Sequence, residues 1–229
     1  MGNQQTELEW RDTAAGSVPI ATRFDDPYYS LDNGLAETEH VFLSGNDLPA
    51  RFTAPLHIAE LGFGTGLNFL ATVRSWQEAG QDQPLHFTSF EGFPLSQDQA
   101  ASALAAFPAV TNIAKDLLAI WDDAMQGPTP LQDQITLEVI TGDARATLPA
   151  WTGKADAWFL DGFSPAKNPE LWEGALMQAV ADHTSSGGTL ATYTAAGHVR
   201  RALAEAGFTI TRIPGFGRKR HMTRGQLDT

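Results

Sequence analysis

The sequence predicts an α/β fold, a doubly wound and mostly parallel sheet with helices on both faces and a small N-terminal extension. Two observations predict this class. Short apolar runs, several apolar throughout as buried parallel strands are, alternate along the chain with helix-forming stretches. The run His57–Leu61 also ends in a glycine-rich turn that leads into such a stretch. Open sheets of this kind bind ligands at the carboxyl ends of their strands, where the strand order reverses.

The elements are assigned from these runs and from the signals at their ends. Strands are predicted at His57–Leu61, Leu85–Glu91, Ile135–Ile140, Asp156–Leu160, Thr189–Tyr193 and Phe208–Ile213. Helices are predicted near residues 66–79, 96–107, 113–125, 144–150, 169–183 and 195–206. Ser96 and Gln99 have the spacing of a capping box, and Asn168-Pro169 is a typical helix start. Gly187-Gly188 and Gly207 follow predicted helices, where glycine commonly ends a helix.

Residues 1–55 do not follow this alternation. They are predicted to form an N-terminal extension of loops and short strands, with turns at Gly45-Asn46 and Pro49. Residues 56–229 are predicted to form the main α/β domain.

Composition excludes several classes of protein. The 229 residues suffice for one large domain, and 42% of them are hydrophobic, as in ordinary soluble proteins. No apolar run approaches the ~18–20 residues of a membrane span, and residues 1–7 lack the basic start and apolar stretch of a signal peptide. The absence of cysteine excludes disulfides and thiolate metal sites. We therefore expect a cytoplasmic protein with no metal centre and no membrane contact.

The turn after the first predicted strand carries an acid and three alternate glycines, Glu60-x-Gly62-x-Gly64-x-Gly66. Such glycines let a ligand approach the backbone N–H groups at the start of the next helix. The dinucleotide fingerprint G-x-G-x-x-G needs glycine at position 67, where Leu67 stands, so an NAD-dependent oxidoreductase is disfavoured. The spacing is instead that of S-adenosylmethionine-dependent methyltransferases, although tight turns also use glycine for structural reasons.

Two further acids stand at strand ends. Glu91 closes the second strand, 27 positions after Gly64, near the spacing at which an acid meets ribose hydroxyls. Taken by itself, an acid at this position is more typical of a solvated strand end. Asp143, within Gly142-Asp143-Ala144, can accept a hydrogen bond from an adenine amino group or cap the short helix that follows. The sequence leaves both roles of Asp143 open.

The fourth predicted strand leads into a loop stiffened by glycine and proline, residues 161–169, which begins with Asp161 and contains Phe163. Methyl transfer to an amine needs a neutral, desolvated nitrogen in line with the sulfonium methyl. A carboxylate here can hold the amine by its N–H groups and receive its proton, and an aromatic ring suits a planar base. A turn with a structural aspartate is the weaker interpretation, because many unusual residues fall in one loop.

The formal net charge is -12, which alone argues against a nucleic-acid partner. Residues 197–229, however, hold seven Lys or Arg against two acids, a local balance of +5 that leaves -17 on the rest of the chain. A polyanion would thus be attracted to one end only. From charge alone, this end is either a polyanion site or a solvated basic tail.

In six collinear blocks the chain resembles the methyltransferase domain of the MnmC family, bacterial enzymes that modify the wobble uridine of tRNA. The blocks are residues 24–38 with 41–43, 62–70, 89–95, 161–172, 187–193 and 215–220. The resemblance covers about residues 20–225, essentially the whole chain. It implies a class I, Rossmann-like S-adenosylmethionine-dependent methyltransferase fold.

The resemblance also implies chemistry. An aminomethyl group on carbon 5 of the wobble uridine, often 2-thiolated, attacks the methyl of S-adenosylmethionine and becomes methylaminomethyl. The implied cofactor contacts are Glu60, Gly62, Gly64, Gly66, Asn68, Glu91, Gly142, Asp143 and Ala144. The implied lid over the cofactor comprises Asp32, Asn33, Gly34, Glu37 and Thr38. The amine would face Asp161 and Phe163. With tRNA as substrate, the charge distribution predicts that it docks on the basic C-terminal end, and the expected tRNA contacts are Arg218, Lys219 and Arg220, together with Lys167.

Departures from the family qualify this interpretation. Members are commonly bifunctional, with a flavin-dependent oxidase domain after the methyltransferase. The sequence contains no such domain, so we expect no bound FAD. The chain is expected to be either a stand-alone enzyme, with a separate FAD-dependent oxidase acting on the same nucleotide, or an isolated domain of a bifunctional protein. His40 and Gly92 stand where the family tends to carry an aromatic and a basic residue. Two other functions stay open: N-methylation of a different amine, and a non-catalytic cofactor-binding module that presents tRNA.

Overall fold

The computed structural model describes residues 7–13, 16–30 and 33–228, whose strands form two sheets. The smaller sheet is antiparallel and consists of β1 (Leu8–Thr13), β2 (Gly16–Ala21) and β3 (Asp26–Pro27), in that order. The strands of the main sheet are β4 (Leu56–Leu61), β5 (Leu85–Glu91), β6 (Thr129–Gln132), β7 (Ile135–Thr141), β8 (Ala155–Leu160), β9 (Thr184–Thr192), β10 (Phe208–Pro214) and β11 (His221–Leu227). The order of the main sheet is β10-β11-β9-β8-β4-β5-β7-β6.

The centre of the main sheet is parallel, as predicted. β7, β5, β4, β8 and β9 pair in parallel, whereas β6 and β11 run antiparallel to their neighbours. The chain builds outward from β4 through β5 to β7 and then returns to β8 on the other side of β4. Leu61 of β4 lies opposite Leu160 of β8. The residues that follow them, Gly62 and Asp161, therefore emerge side by side where the strand order reverses.

Helices cover both faces of this sheet, which confirms the doubly wound prediction. They are α1 (Gly34–Thr38), α2 (Leu67–Glu78), α3 (Gln97–Leu104), α4 (Thr111–Ala119), α5 (Trp121–Ala124), α6 (Ala144–Ala150), α7 (Gly174–Asp182) and α8 (Gly197–Glu205). α2 to α5 pack on one face, where Phe69 and Phe87 meet with ring centroids 5.3 Å apart. α6 to α8 pack on the other face around Trp158, Met177 and Val199. No helix in the described ranges is long and apolar enough to cross a membrane.

Helix boundaries follow the predicted signals in part. The capping box is present, because Ser96 Oγ accepts from the backbone of Gln99 and Gln99 Oε1 accepts from that of Ser96. The helix predicted near 113–125 is two helices, α4 and α5. The helix predicted near 169–183 is a 3-10 turn over Pro169–Trp172 followed by α7, and Asn168 makes no side-chain capping bond.

Two predictions about the segment that forms β9 were wrong, and two strands were not predicted. Gly187-Gly188 do not end a helix but lie inside β9, which begins at Thr184 rather than Thr189. The pairing of β9 with β8 shifts register there, and a Cβ on Gly188 would lie 2.8 Å from the Ser185 carbonyl oxygen, so glycine serves the irregular strand. β6 and β11 were not predicted, because neither segment has a continuous apolar run.

The N-terminal extension shares the core of the main domain. α1 continues into a π-helical segment, Glu39–Leu43, whose Val41, Phe42 and Leu43 are buried against the sheet. A 3-10 turn follows over Ser44–Asn46, and Asn46 Nδ2 donates to the Trp158 carbonyl oxygen at 3.2 Å. The extension thereby positions β3 and α1 beside the carboxyl ends of β4 and β8. The domain boundary at residue 55 stays a prediction.

Candidate active site

A cleft of about 1020 Å³ opens at the carboxyl ends of β4, β5 and β8. The N-terminal extension forms one wall, and the loop between β10 and β11 forms part of the rim. The residues predicted for the site that line this cleft are Gly34, Glu37, Thr38, Gly62, Gly64, Asn68, Glu91, Asp143, Ala144, Asp161, Phe163, Lys167, Arg218 and Lys219. Residues far apart in sequence thus meet where the topology predicts a ligand.

The other predicted site residues lie beside or beneath the cleft. Glu60 is fully buried below it, and Gly66 is the N-cap of α2. Asn33 is the N-cap of α1, where its side chain accepts from the backbone N–H of Ala36. Gly142 (φ +132°) precedes the cleft-lining Asp143, and Arg220 is exposed next to the rim. Asp32 lies outside the described residues.

The three glycines after β4 all have positive φ angles, +87° at Gly62, +53° at Gly64 and +78° at Gly66. A Cβ on Gly62 would lie 3.1 Å from the Gly162 Cα, and one on Gly64 would lie 3.1 Å from the Tyr28 ring. Side chains larger than hydrogen would therefore be strained in backbone conformation and would crowd the cleft. The glycine spacing is thus required by this turn, whatever it binds.

Glu91 ends β5 with its carboxylate held by backbone donors. Oε2 accepts from the N–H of Gly64 at 2.9 Å, and Oε1 accepts from the N–H of Phe93 at 2.6 Å. Burial raises the pKa of Glu91, and these backbone hydrogen bonds oppose the shift. The carboxylate links the β4 and β5 loops on the floor of the cleft.

A polar network connects β4, α2 and the loop after β8. Asn68 Nδ2 donates to Glu60 Oε1 at 2.8 Å and to Asp161 Oδ2 at 2.7 Å. Asn68 Oδ1 accepts from the hydroxyl of Thr38 at 2.8 Å, and Glu60 Oε2 accepts from the hydroxyl of Ser89 at 2.7 Å. Complete burial raises the pKa of Glu60 well above its ordinary value, although both donors stabilise its charged form.

Asp161 combines partial exposure to the cleft with a perturbed pKa. Burial raises the pKa of its carboxyl to about 6, and the charge of Glu37 adds to the rise. Hydrogen bonds from Asn68 and from the backbone of Gly162, together with the charge of Lys219, oppose the shift. A carboxyl in a cleft that titrates near neutrality is suited to proton transfer.

An aromatic wall lies beside Asp161. Phe163 stacks on Phe24 with centroids 4.5 Å apart and meets the edge of Tyr28 at 5.3 Å. Tyr193 lies at the end of β9 and donates from its hydroxyl to the Gly162 carbonyl oxygen at 2.8 Å. Of these, only Phe163 was predicted as a site residue. Phe24 and Tyr28 belong to an N-terminal block that sequence reasoning did not connect to the Asp161 loop.

Two lysines at the rim are paired with acids of the N-terminal extension. Lys219 Nζ lies 2.8 Å from Glu37 Oε1 and 4.2 Å from the centroid of the Tyr193 ring. Lys167 Nζ lies 3.5 Å from Asp26 Oδ1 and also contacts Asp25. The rim is therefore closed on two sides by contacts that join the extension to the main domain.

The structure resolves one role of Asp143. Its Oδ1 accepts from the backbone N–H of Arg145 at 2.9 Å and caps α6, and its Oδ2 pairs with the Arg145 guanidinium at 2.7 Å. The Arg145 hydrogen bonds lower the pKa of Asp143. The capping role is confirmed, and a contact with adenine stays a prediction.

The identity of the fold follows from sequence similarity. Residues 108–228 match the family of S-adenosyl-L-methionine-dependent methyltransferases. The chain belongs to this family. S-adenosyl-L-methionine is therefore the cofactor, and the class I methyltransferase fold predicted from the sequence is confirmed.

Relatives of known name match nearly the whole chain. It is 43% identical over 227 residues to the tRNA 5-methylaminomethyl-2-thiouridine biosynthesis bifunctional protein MnmC of Leptospira borgpetersenii, a match that covers 96% of this chain and 34% of that protein. The protein of the same name from Chromohalobacter salexigens is 44% identical over 229 residues, covering 96% of this chain and 33% of that protein. The chain thus spans about one third of the length of these relatives.

Solved structures agree with this assignment. MNMC2 from Aquifex aeolicus superposes with a TM-score of 0.81 at 26% identity, covering 98% of this chain and 72% of that one. Spermidine synthase from Thermotoga maritima has a TM-score of 0.59 at 11% identity, covering 99% of this chain and 70% of that one, which shows likeness of fold alone.

The residues of the cleft fit a cofactor of this chemistry. The glycine turn leaves the backbone open to close approach, and the Glu91 carboxylate lines the same cleft as an acceptor at the end of β5. The Tyr28 hydroxyl is buried with no hydrogen-bond partner in the described part of the chain. Because an unpaired buried hydroxyl is costly, this atom is suited to bond a ligand.

Proposed function

We propose that this methyltransferase transfers a methyl group to the 5-aminomethyl nitrogen of the (2-thio)uridine at the wobble position of tRNA, giving 5-methylaminomethyl-(2-thio)uridine. The observation that carries the proposal is the Asp161 carboxylate, which faces the cleft beside Phe163 and the glycine turn. The names of the relatives support the choice of nucleotide.

The reaction needs a neutral amine in line with the methyl group. S-adenosylmethionine supplies the methyl as part of a sulfonium, so a C–N bond forms, the C–S bond breaks and its electron pair stays on sulfur. The nitrogen then carries a surplus proton. Asp161 can orient the amine through its N–H groups and accept that proton, because both carboxylate oxygens have lone pairs beyond those used by Asn68 and Gly162.

The surroundings of Asp161 suit a base-linked amine. Phe163 and Phe24 stack on one another, and an aromatic surface of this kind matches a planar pyrimidine. Glu37 adds a second carboxylate, which favours an amine over an anionic group. An aromatic wall beside the nitrogen lowers the local dielectric, which would strengthen the carboxylate–amine contact.

The cofactor-binding residues belong to the same proposal. Gly62, Gly64 and Gly66 would back the methionine part, Glu91 would bind the ribose, and Gly142-Asp143-Ala144 would flank the adenine. Glu60 and Asn68 would support the methionine side from below. The lid would consist of Gly34, Glu37 and Thr38, which line the cleft, with Asn33 and Asp32 before them.

The tRNA would dock on a basic face at the same edge of the sheet. This face consists of Arg200, Arg212, Arg218, Lys219 and Arg220. The pKa of His221 is lowered, first by burial and then by the positive charges of Arg212, Arg220 and Arg200. These three arginines therefore all lie close to His221. Within the described ranges, none of the three forms an ion pair, nor does Arg218.

This arrangement favours phosphate contact over a self-neutralised tail. Among the basic residues of 197–229, only Lys219 and Arg224 pair with acids in the described structure, with Glu37 and Asp47. The remaining arginines form a cluster of positive charge on a protein whose net charge is -12. A polyanion approaching the cleft would be steered to them. Lys167, on the opposite rim, would contact the same RNA.

The cell context follows from this substrate. We place the protein in the cytoplasm with tRNA as its partner. An FAD-dependent oxidase that prepares the same nucleotide would be either a separate protein or a further domain.

One assay tests the function against its alternatives. The purified chain is incubated with S-adenosylmethionine labelled in the methyl group and bulk tRNA lacking the wobble methylation, and the nucleosides are then separated. Label in methylaminomethyl-(2-thio)uridine supports the proposal. Label on a small amine offered instead supports the alternative N-methyltransferase. Binding of cofactor and tRNA without transfer supports a non-catalytic module.

A further inference from the structure

Asn68 uses every polar atom of its side chain within the site. The two hydrogens of Nδ2 go to Glu60 and to Asp161, and Oδ1 receives the Thr38 hydroxyl, with all three distances between 2.7 and 2.8 Å. These partners belong to β4, to the loop after β8 and to α1. Asn68 is buried at the start of α2, so its amide joins these three elements to α2.

The hydrogen bond from Asn68 defines how Asp161 is presented. Oδ1 of Asp161 is held by the backbone N–H of Gly162 at 2.8 Å, and Oδ2 is held by Asn68 at 2.7 Å. Two donors from different directions fix the plane of a carboxylate, which leaves its remaining lone pairs facing the cleft. Without Asn68, only the adjacent backbone would hold this side chain.

We propose that Asn68 is a positioning residue that holds the Asp161 carboxylate, ionised, in the geometry that receives the substrate amine, and links that geometry to the placement of α1 through Thr38. The inference rests on the proposed function, in which Asp161 holds the amine. It differs from a cofactor-binding role for Asn68, because its effect passes through Asp161.

The charges around Asp161 make the amide important. Burial and the charge of Glu37 of α1 disfavour the ionisation of Asp161. Glu60 of β4 shares the Asn68 amide with Asp161, and burial raises its own pKa. Tyr193, directly after β9, supplies no positive charge. Lys219, from the β10–β11 loop, is the opposing cation, and it is already paired with Glu37. The Asn68 side chain donates a hydrogen bond that stabilises the charged form of Asp161. Loss of this hydrogen bond would raise the pKa of Asp161.

Asn68→Ala and the nearly isosteric Asn68→Asp test the inference. In Asn68→Ala we expect kcat to fall about 10²-fold, the loss typical of a misplaced catalytic group. The acid limb of the pH–rate profile should move to higher pH, and higher pH should restore part of the rate. Asn68→Asp, which adds a carboxylate, should move the limb further. Cofactor affinity, measured by calorimetry, should fall far less than kcat, by no more than a few-fold, because Asn68 supports the methionine side only from below.

A second readout does not depend on activity. The pKa of Asp161, followed by carbon-13 NMR of labelled aspartate in the free protein, should rise in both variants. Thr38→Val should lower kcat while leaving the acid limb in place, because the bond to Asp161 remains. Thr72→Val is the matched control: its hydroxyl donates only to the Asn68 backbone oxygen, at 2.8 Å, and its loss should leave rate and profile unchanged.

The possible failures are distinguishable. If Asp161→Ala keeps the rate of the native protein, the proposed role of Asp161 is wrong and the inference falls with it. If Asp161→Ala abolishes turnover but neither Asn68 variant moves the acid limb or the NMR titration, the positioning role alone is overturned. A loss of cofactor affinity equal to the loss of rate would assign Asn68 to cofactor binding instead.

Discussion

Lys219 Nζ lies 2.8 Å from Glu37 Oε1, so one ion pair joins the β10–β11 loop to α1 across the mouth of the cleft. The same ammonium lies over the ring of Tyr193, whose hydroxyl holds the loop that follows Asp161. A polyanion that draws Lys219 away would therefore release Glu37 and expose the cleft at once. The two members of the pair also act in opposite directions on Asp161, since the charge of Glu37 raises its pKa and that of Lys219 lowers it.

Replacing Asp161 should separate chemistry from binding. In Asp161→Ala we expect the rate to fall by roughly 10²–10⁴, the range for a positioned acid–base group, with cofactor affinity within a few-fold. Single-turnover methylation of tRNA and calorimetry measure the two quantities. A rate close to that of the native protein would remove Asp161 from the mechanism, and joint loss of fold and binding would make it structural.

The raised pKa of Asp161 also sets how stability and activity depend on pH. The pKa of its carboxyl is about 6 in the folded protein and close to the ordinary value in the unfolded protein. The neutral carboxyl therefore stabilises the folded state, and this stabilisation is lost as pH rises through about 6. Asp161→Asn should therefore gain stability over the native protein by about 1–3 kcal/mol between pH 4 and pH 7. Catalysis shows the opposite trend, because the rate should fall below pH 6.

Urea unfolding of both proteins at several pH values measures that difference. A stability gap that does not change with pH would contradict the shifted pKa. Activity that persists well below pH 6 would contradict the need for an ionised Asp161.

Whether the cofactor approaches the backbone of the glycine turn can be tested by placing a large side chain there. In Gly64→Leu we expect S-adenosylmethionine binding to be abolished, because φ is +53° and a Cβ would already lie 3.1 Å from the Tyr28 ring. Gly80→Leu is the matched control, since Gly80 has a φ of +62° and nothing within 4 Å of its added Cβ. Isothermal calorimetry with the cofactor and with NAD compares the three proteins. Unchanged affinity in Gly64→Leu, or binding of NAD by the native protein, would refute the cofactor assignment of this turn.

Removing the unpaired hydroxyl of Tyr28 should have opposite effects on the stability of the free protein and on the binding of the cofactor. Tyr28→Phe removes a buried polar atom without a partner, so the free protein should unfold at equal or higher temperature. If the hydroxyl bonds the cofactor, the same change should weaken cofactor binding by about 5–10-fold, the value of one ordinary hydrogen bond. Thermal unfolding with and without S-adenosylmethionine shows both effects. Equal stabilisation of the two proteins by the cofactor would assign the hydroxyl no part in binding.

The basic face should govern the salt dependence of tRNA binding. Each lost phosphate contact should lower the slope of log affinity against log salt by about 0.7–0.9. Charge removal at Arg212, Arg218 and Arg220 together should weaken tRNA binding and flatten this slope, with cofactor affinity unchanged. Lys154→Ala is the control, because Lys154 is exposed at the start of β8, the opposite end of the sheet. A triple variant that loses stability but keeps its slope would indicate cations that serve the fold.

Much of this arrangement could be predicted from the sequence, because it depends on local signals. Short, largely apolar runs located six strands of the main sheet. The spacing of Glu60, Gly62 and Gly64 located the turn at the reversal of strand order. Asp161 could be placed beside it because parallel strands end at the same edge.

The remaining features depend on contacts between distant segments. No periodicity connects Tyr28 to Gly64, or Phe24 to Phe163, since those pairs meet only when the N-terminal extension folds over the cleft. Asn68 was predicted to touch the cofactor, and its bond to Asp161 could not be foreseen, because it depends on side-chain directions on two elements. β11 escaped prediction because its interior position, between β9 and β10, lets polar residues such as Thr223 be buried with their hydrogen bonds made.

The position of β11 has a consequence for biosynthesis. β10 lies at the edge of the sheet and reaches the parallel centre only through β11, which is made after it. While the ribosome is still translating residues 221–227, β10 has no strand to pair with and β9 presents an open edge. The hairpin that carries Arg218 and Lys219 can therefore join the parallel centre of the sheet only once β11 has been made.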